Sequence, residues 1–334
     1  MKKMQNVLYV MSKGSKLSVK NQSICVTGKE VVTIPVHNIE SIVCFGNMSI
    51  TTPFIGFCSE NNVKLSFLSE YGGYYGSFYG KQKGSVFLRT EQYRMFDDKE
   101  VCLNISKSII NTKIRNSIRV LGKSLSCSKV IKDAISDMSV MKNEISDVDN
   151  IDTLRGIEGI AAARYFSAFD EMINTDNSLM KFEKRTKRPP ENNINALLSF
   201  VYTLLETDVT SAVECTGLDV QVGVMHTKDY GKPSLVLDMM EEYRAPLCDR
   251  FVIALVNRKQ IRSDDFIRND EGIWLTSEAR KKVVVNWQER KQQQIFHTGI
   301  EKKINIGLIP YAQAQIMSAC IRNKTPEYKP FLWR

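Results

Sequence analysis

Histidine is nearly missing from this chain, with only three in 334 residues. One of the three standing just before a cluster of acids is therefore informative. The eight cysteines (Cys25, Cys44, Cys58, Cys102, Cys127, Cys215, Cys248 and Cys320) are scattered, and no two form a C-x-x-C pair. A structural zinc site is not expected. No G-x-x-x-x-G-K-[ST] occurs: the GKS at residues 122–124 lacks its leading glycine, because position 117 is Ser117. That rules against a nucleotide-binding P-loop. No long apolar run is present either. The most apolar stretch, residues 196–205 (ALLSFVYTLL), is too short to span a bilayer and reads as a buried core helix. Isolated cysteines without a signal-like leader point to a reducing, cytoplasmic setting and no membrane.

What remains is globular: 43% hydrophobic and 25% charged residues, without a low-complexity tract. The length allows two domains, each with its own core. The net charge of +9 and pI near 9.0 favour a polyanionic partner, nucleic acid before membrane.

The chain changes period once. Residues 7–10, 17–19, 31–36 and 42–45 are short runs rich in β-branched or aromatic residues, punctuated by Gly14, Asn21–Gln22, Gly28 and Gly46–Asn47. Residues 51–60 read as a short helix, residues 63–68 as a strand, and the Gly/Tyr/Lys-rich residues 71–84 as a closing hairpin or an aromatic, basic surface. After about residue 88 the period becomes helical. The expected fold class is α+β: an N-terminal β-rich domain over residues 1–87, followed by a larger all-helical domain over residues 88–334.

In that second part, residues 91–122 read as one or two helices, with Ile105, Ile109, Ile114, Ile118 and Leu121 on one side and Lys107, Lys113, Arg115, Arg119 and Lys123 on the rest. Residues 124–152 break into shorter helical pieces. Residues 152–169 (DTLRGIEGIAAARYFSAF) form a helix capped by Asp152 or Thr153, with one side left bare by Gly156, Gly159 and Ala161–Ala163. Glu158 sits in that small-residue patch, and a carboxylate there needs a partner: Arg155, Arg164 or a metal. Residues 181–195 (KFEKRTKRPPENNIN) form a basic loop that Pro189–Pro190 keep out of helix. The last helix follows Pro310, residues 269–272 make a turn, and the aromatic end around Trp333 packs back on its own domain.

The stretch over residues 217–250 (GLDVQVGVMHTKDYGKPSLVLDMMEEYRAPLCDR) carries the most chemistry. His226 lies in a turn-rich segment, and Gly231 and Pro233 open a helix bearing Asp238, Glu241 and Glu242 on one face, until Pro246 kinks it. Crowded carboxylates repel one another unless a cation sits among them, so the stretch is either a divalent-metal site or an acidic helix start.

Several blocks in order resemble a known family over essentially the whole chain. These are IEGIAAARYF (residues 157–166), NALLSFVYTLL (195–205) with GLDVQVGVMH (217–226), and SLVLDMMEEYRAPLCDR (234–250). HNIESIVCFGN, NNVKLSFLSEYG, FLRTEQYR, IPYAQAQIMSACIR and EYKPFLW add to them. The family is the CRISPR-associated integrase, the nuclease and integrase subunit of CRISPR spacer acquisition. The resemblance implies a β-domain joined to a helical catalytic domain. It implies a homodimer that works with a small ferredoxin-like partner protein on double-stranded DNA, both short fragments and the CRISPR repeat. It also implies metal-dependent DNA cleavage and integration by 3′-hydroxyl transesterification. By motif position the metal ligands fall on Glu158, His226 and Glu241, with Asp238 a further catalytic acid one turn earlier. Glu242 adjoins Glu241, and the choice between them stays open. Ala245 intervenes where the family often runs Arg directly into Pro. One imidazole with two carboxylates suits Mg²⁺ or Mn²⁺. Arg164, Arg188, Lys228 and Arg244 are the candidate DNA-contacting residues, although Arg244 also stands three residues from Glu241 and can pair with it. The competing reading is a non-catalytic, basic DNA-binding scaffold whose acids only make salt bridges.

Overall fold

The computed structural model describes residues 7–28, 30–78, 80, 86–126, 128–187, 189–226, 230–325 and 327–333. The chain divides into two compact units. One comprises the described residues of Met1–Lys83 together with Val284–Gln293; the other comprises those of Gly84–Val283 and Gln294–Arg334.

The first unit is strand-rich. Its elements are β1 (Val7–Val10), β2 (Lys16–Lys20), β3 (Ser23–Thr27), β4 (Val31–Pro35), β5 (Ser41–Phe45), β6 (Ser49–Ile50), α1 (Thr52–Asn61), β7 (Lys64–Leu68) and β8 (Tyr74–Phe78). Two four-stranded sheets form, ordered β1-β5-β7-β8 and β4-β3-β2-β6. Asn21 and Gln22 both adopt positive φ (48° and 58°), which gives β2 and β3 a two-residue hairpin whose twist matches the strands. β8 pairs antiparallel to β7, so residues 71–78 form the closing hairpin. Leu17, Ile24, Ile42, Phe54 and Leu65 are fully buried and form the core of this unit.

The second unit is mostly helical. Its helices are α2 (Val86–Met95), α3 (Lys99–Gly122), α4 (Lys129–Glu144), α5 (Ile151–Ser167), α6 (Asn193–Cys215), α7 (Ser234–Met240) and α8 (Arg250–Asn257). A hairpin of β9 (Phe266–Asn269) and β10 (Gly272–Leu275) follows. Next comes α9 (Ser277–Gln292), whose last turns belong to the first unit. A hairpin of β11 (Gln294–His297) and β12 (Lys302–Asn305) and the helix α10 (Ile309–Arg322) close the chain.

The helix starts are set by side-chain caps. Asp98 accepts from the amides of Glu100 and Val101 ahead of α3, Asn150 from Thr153 ahead of α5, and Asn192 from Asn195 ahead of α6. The cap of α5 is thus Asn150 rather than Asp152 or Thr153, and residues 129–144 are one continuous helix rather than shorter pieces. The helix α6 is apolar and, at 23 residues, long enough to cross a membrane by composition alone, but Leu197, Leu198, Val201 and Leu204 are fully buried in this unit's core. Cys25, Cys44, Cys58 and Cys320 are free thiols. Burial pushes the Cys44 and Cys58 thiols up to about 12, which makes them packing groups rather than nucleophiles.

Candidate functional site

The buried face of α3 runs through Ile109, Asn116 and Val120 at spacings that also turn Lys113 inward. Lys113 is not a surface cation: its side chain is only 15% exposed. Its ammonium pairs with Glu158 Oε1 on α5 and lies 2.6 Å from Glu241 Oε2. Glu241 follows directly on α7 and is buried, with Arg244 Nη1 3.1 Å from its other oxygen. Burial works to raise the Glu241 carboxyl, but Arg244 and then Lys113 outweigh it and hold it at about 2. The reverse holds for Lys113. Burial alone would lower it, and Glu241 and Glu158 raise it above its ordinary value. Arg155 is not the partner of Glu158; it donates to Asp152 Oδ1 at 3.0 Å and to the carbonyl of Met225, pinning the loop before His226 to α5.

That loop is built around one carboxylate. Asp238, fully buried on α7, accepts from the amides of Val224 (2.6 Å) and Met225 (3.0 Å) on Oδ2. Its Oδ1 accepts from the amide of His226 at 3.0 Å and stands 2.6 Å from His226 Nδ1. A carboxylate surrounded by donors takes the hydrogen of Nδ1, which leaves the lone pair of the imidazole on Nε2. Gly223 makes this wrap possible. A Cβ there would run into Asp238 Oδ2 and stand 2.7 Å from the Ser234 carbonyl carbon and 2.9 Å from the Leu235 nitrogen.

Asp238, Glu241 and Glu242 do not share a helical face, contrary to the spacing argument. The α-helix ends at Met240, Glu241–Tyr243 form a turn, and Arg244–Asp249 follow as a π-helical segment. Pro246, which has no N–H to give, lies in that segment. The turn sends neighbouring carboxylates apart. Glu242 accepts from Tyr328 Oη (2.6 Å), the Phe331 amide (2.6 Å) and Gln313 Nε2 (3.1 Å). Burial pushes it up to about 8 against those hydrogen bonds.

A cavity of about 550 Å³ opens beside Glu158 and Glu241. One wall is Ala161–Ala163, the bare side of α5, and another carries Lys184, Arg185, Lys187 and Arg244. Tyr202 donates to Asp249 at 2.5 Å, and the guanidinium carbons of Arg185 and Arg244 lie 5.3 and 5.6 Å from its ring centroid. Burial raises Asp249 to about 6 in spite of the hydrogen bond from Tyr202, and burial followed by Arg244 lowers Lys187. Arg164 does not line the cavity; its Nε donates to Asp137 Oδ2 at 2.7 Å. Arg188 and Lys228 lie outside the described residues.

Among the described residues no three His, Cys, Asp or Glu side chains stand close enough together to hold a metal ion as arranged. Two observations nonetheless fit the donor set to a divalent cation. Glu158 and Glu241 converge on one positive charge, the Lys113 ammonium, which is the stand-in ion. His226 presents a free Nε2 because Asp238 holds Nδ1, the arrangement of a metal-binding imidazole. Sequence reasoning placed Lys113 among the cations interleaved on the rest of its helix; its signal was the position four after Ile109 and three before Asn116. Tyr202 and Asp249 were missed too, with no local motif to mark them.

The family model for CRISPR associated protein Cas1 matches residues 8–289. The CRISPR-associated endonuclease Cas1 1 of Chlorobaculum tepidum is 36% identical, covering 100% of both chains. The CRISPR-associated endonuclease Cas1 2 of Rhodospirillum rubrum is 37% identical, again covering 100% of both. A CAS1 protein from Thermotoga maritima has the same fold, with a TM-score of 0.83 at 27% identity over 95% of this chain and 97% of that one.

Proposed function

The chain belongs to the CRISPR associated protein Cas1 family, and from that premise we propose that it is a metal-dependent DNA endonuclease and integrase. It inserts short DNA fragments into a CRISPR array in the cytoplasm, as a homodimer with a small ferredoxin-like partner protein. The observation that carries this reading is the pair Glu158 and Glu241 closing on one cation, at the edge of a cavity with a basic wall.

Glu158, His226 and Glu241 would hold Mg²⁺ or Mn²⁺. Bound there, the cation would polarise the scissile phosphodiester and lower the pKa of the attacking hydroxyl. Every other part belongs to the chain itself. Asp238 fixes the tautomer of His226, and Arg155 ties the same loop to the helix that carries Glu158. Arg244, Arg185 and Lys187 supply positive charge for the phosphates of a strand lying in the cavity, and Ala161–Ala163 let its backbone approach. In strand transfer the oxygen of the fragment's 3′-hydroxyl bonds to phosphorus. The bond from phosphorus to the neighbouring 3′ oxygen breaks, that oxygen takes a proton from solvent to become a new 3′-hydroxyl, and the proton of the attacking hydroxyl leaves to solvent. Water in place of the hydroxyl gives hydrolysis, hence the nuclease activity.

The second reading, a DNA-binding scaffold without catalysis, draws on the same ion pairs, which leave Glu158 and Glu241 satisfied without a metal. A strand-transfer assay separates the two. The purified protein is given its small partner, supercoiled repeat DNA and a short duplex, with Mn²⁺ or with EDTA. Joined product that forms in Mn²⁺ and vanishes in EDTA supports the enzyme; product that survives EDTA overturns the metal-dependent reading, and DNA binding with no product in either establishes the scaffold.

A further inference from the structure

Residues 328–333 belong to no helix or strand, yet Tyr328, Phe331 and Trp333 are buried. Their order comes from two polar side chains that the chemistry above does not use. Asn116 stands three residues after Lys113 on α3, and Glu242 stands next to Glu241. The Asn116 amide is fully engaged: Nδ2 donates to the Glu242 and Phe331 carbonyls, both at 2.9 Å, and Oδ1 accepts from the Trp333 amide at 2.9 Å. The Glu242 carboxylate accepts from Tyr328 Oη and the Phe331 amide, each at 2.6 Å. The terminal segment therefore bonds to the neighbours of both members of the Lys113–Glu241 ion pair.

The rings extend the same grip. Phe331 lies 6.3 Å from the Tyr243 ring and 5.3 Å from His297. Lys123 at the end of α3 and Arg250 at the start of α8 lie 5.8 and 5.2 Å from the Trp333 ring centroid. Arg250 directly follows the π-helical segment that opens with Arg244. One short segment thus holds α3, the Glu241–Tyr243 turn and the far end of the π-helical segment.

We propose that residues 328–333 are a latch that sets the position of Glu241 against α3, with Asn116 and Glu242 as positioning residues. The catalytic readout rests on the nuclease reading; the latch itself does not. A displacement of about 1 Å at a reacting centre costs roughly a hundred-fold in rate, so loss of the latch acts on turnover rather than on DNA binding.

The test uses the full chain, Asn116→Ala, and a truncation after Glu327. The truncated protein is expected to stay folded by circular dichroism. Its kcat for Mn²⁺-dependent DNA cleavage should fall at least about ten-fold while KM stays within about two-fold. A synthetic peptide of residues 328–334 added in trans should restore kcat, and the same peptide with alanine at the Phe331 and Trp333 positions should not. Asn116→Ala should show the same kcat loss without truncation. A folded truncation with wild-type kcat overturns the latch; if the truncation fails to fold, wild-type kcat in Asn116→Ala overturns it. Should the intact protein cleave nothing in Mn²⁺, the nuclease reading falls and amide hydrogen exchange decides the latch. Exchange at Glu241–Tyr243 at least about ten-fold faster in Asn116→Ala, with α6 unchanged, supports it, and unchanged exchange at the turn overturns it.

Discussion

Replacing Lys113 by methionine removes the positive charge that Glu158 and Glu241 share while nearly keeping the volume of the side chain. Breaking a buried ion pair typically costs about 3–5 kcal/mol, because it strands the remaining charge. Here Lys113 and Glu158 are 15% and 25% exposed, and Glu241 keeps Arg244 at 3.1 Å. Those facts reduce the expectation to about 2–3 kcal/mol, on the order of 5–10 °C in Tm for a unit of this size. The loss is largest in the metal-free protein. A divalent ion stabilises both proteins, and a ten-fold tighter site in the variant narrows the gap by at most about 1.4 kcal/mol. The variant should also bind Mn²⁺ at least about ten-fold more tightly than the wild type, because no ammonium has to be displaced, a difference of about 1.4 kcal/mol. Thermal unfolding in EDTA and in Mn²⁺, with titration calorimetry, reads both effects. A stability deficit equal in the two buffers, or Mn²⁺ bound no more tightly by the variant, refutes the idea that Lys113 stands in for the metal.

Two other predictions come from the same region. Gly223→Ala forces a methyl group against Asp238 and the α7 backbone, so it should cost about 1–3 kcal/mol and free the His226 ring; an imidazole signal in NMR that stays at its wild-type position would count against this. The Glu242 carboxyl gives a pH dependence. Its folded pKa of about 8 lies above the ordinary 4.5, so the native state holds a proton that the unfolded chain has already lost between those values. Its contribution is complete below about pH 4.5 and fades as pH rises through about 8, with a slope of at most about 1.4 kcal/mol per pH unit. Denaturant unfolding from pH 5 to 9 should show this decline, and Glu242→Gln should flatten it; an identical slope in the variant contradicts the assignment.

Periodicity carried most of the fold. Most strands of the first unit, the short helix α1 and the apolar helix α6 were legible, because each is a run of β-branched, aromatic or apolar residues between turn signals. The hairpins β9–β10 and β11–β12 were not, since Phe266–Asn269 and Lys302–Asn305 mix charged with apolar residues and Gln294–His297 follows α9 after a single residue. β3 was missed for a like reason: Ser23–Thr27 mixes polar and apolar residues in one short run.

The candidate site divides in the same way. His226, Asp238 and the acids beside them stood out by rarity and crowding, and the family motif singled out Glu158 and Glu241. The identity of their cation did not, because Lys113 is 45 residues from Glu158 and looks locally like its neighbours on α3. Where each acid points is also non-local. Glu242 is claimed by Tyr328 and Phe331, 86 and 89 residues further on, and only that contact separates it from Glu241. Arg164, near Glu158 in sequence, faces Asp137 on α4 because the intervening turns of α5 carry it round the helix.

Binding of Mn²⁺ to the metal-free protein, followed by electron paramagnetic resonance, tests most directly that Glu158, His226 and Glu241 hold one divalent ion. The account predicts one Mn²⁺ per chain, with affinity reduced at least about ten-fold in each of Glu158→Ala, His226→Ala and Glu241→Ala. A His226→Ala variant that is folded and binds Mn²⁺ as tightly as the wild type would contradict it.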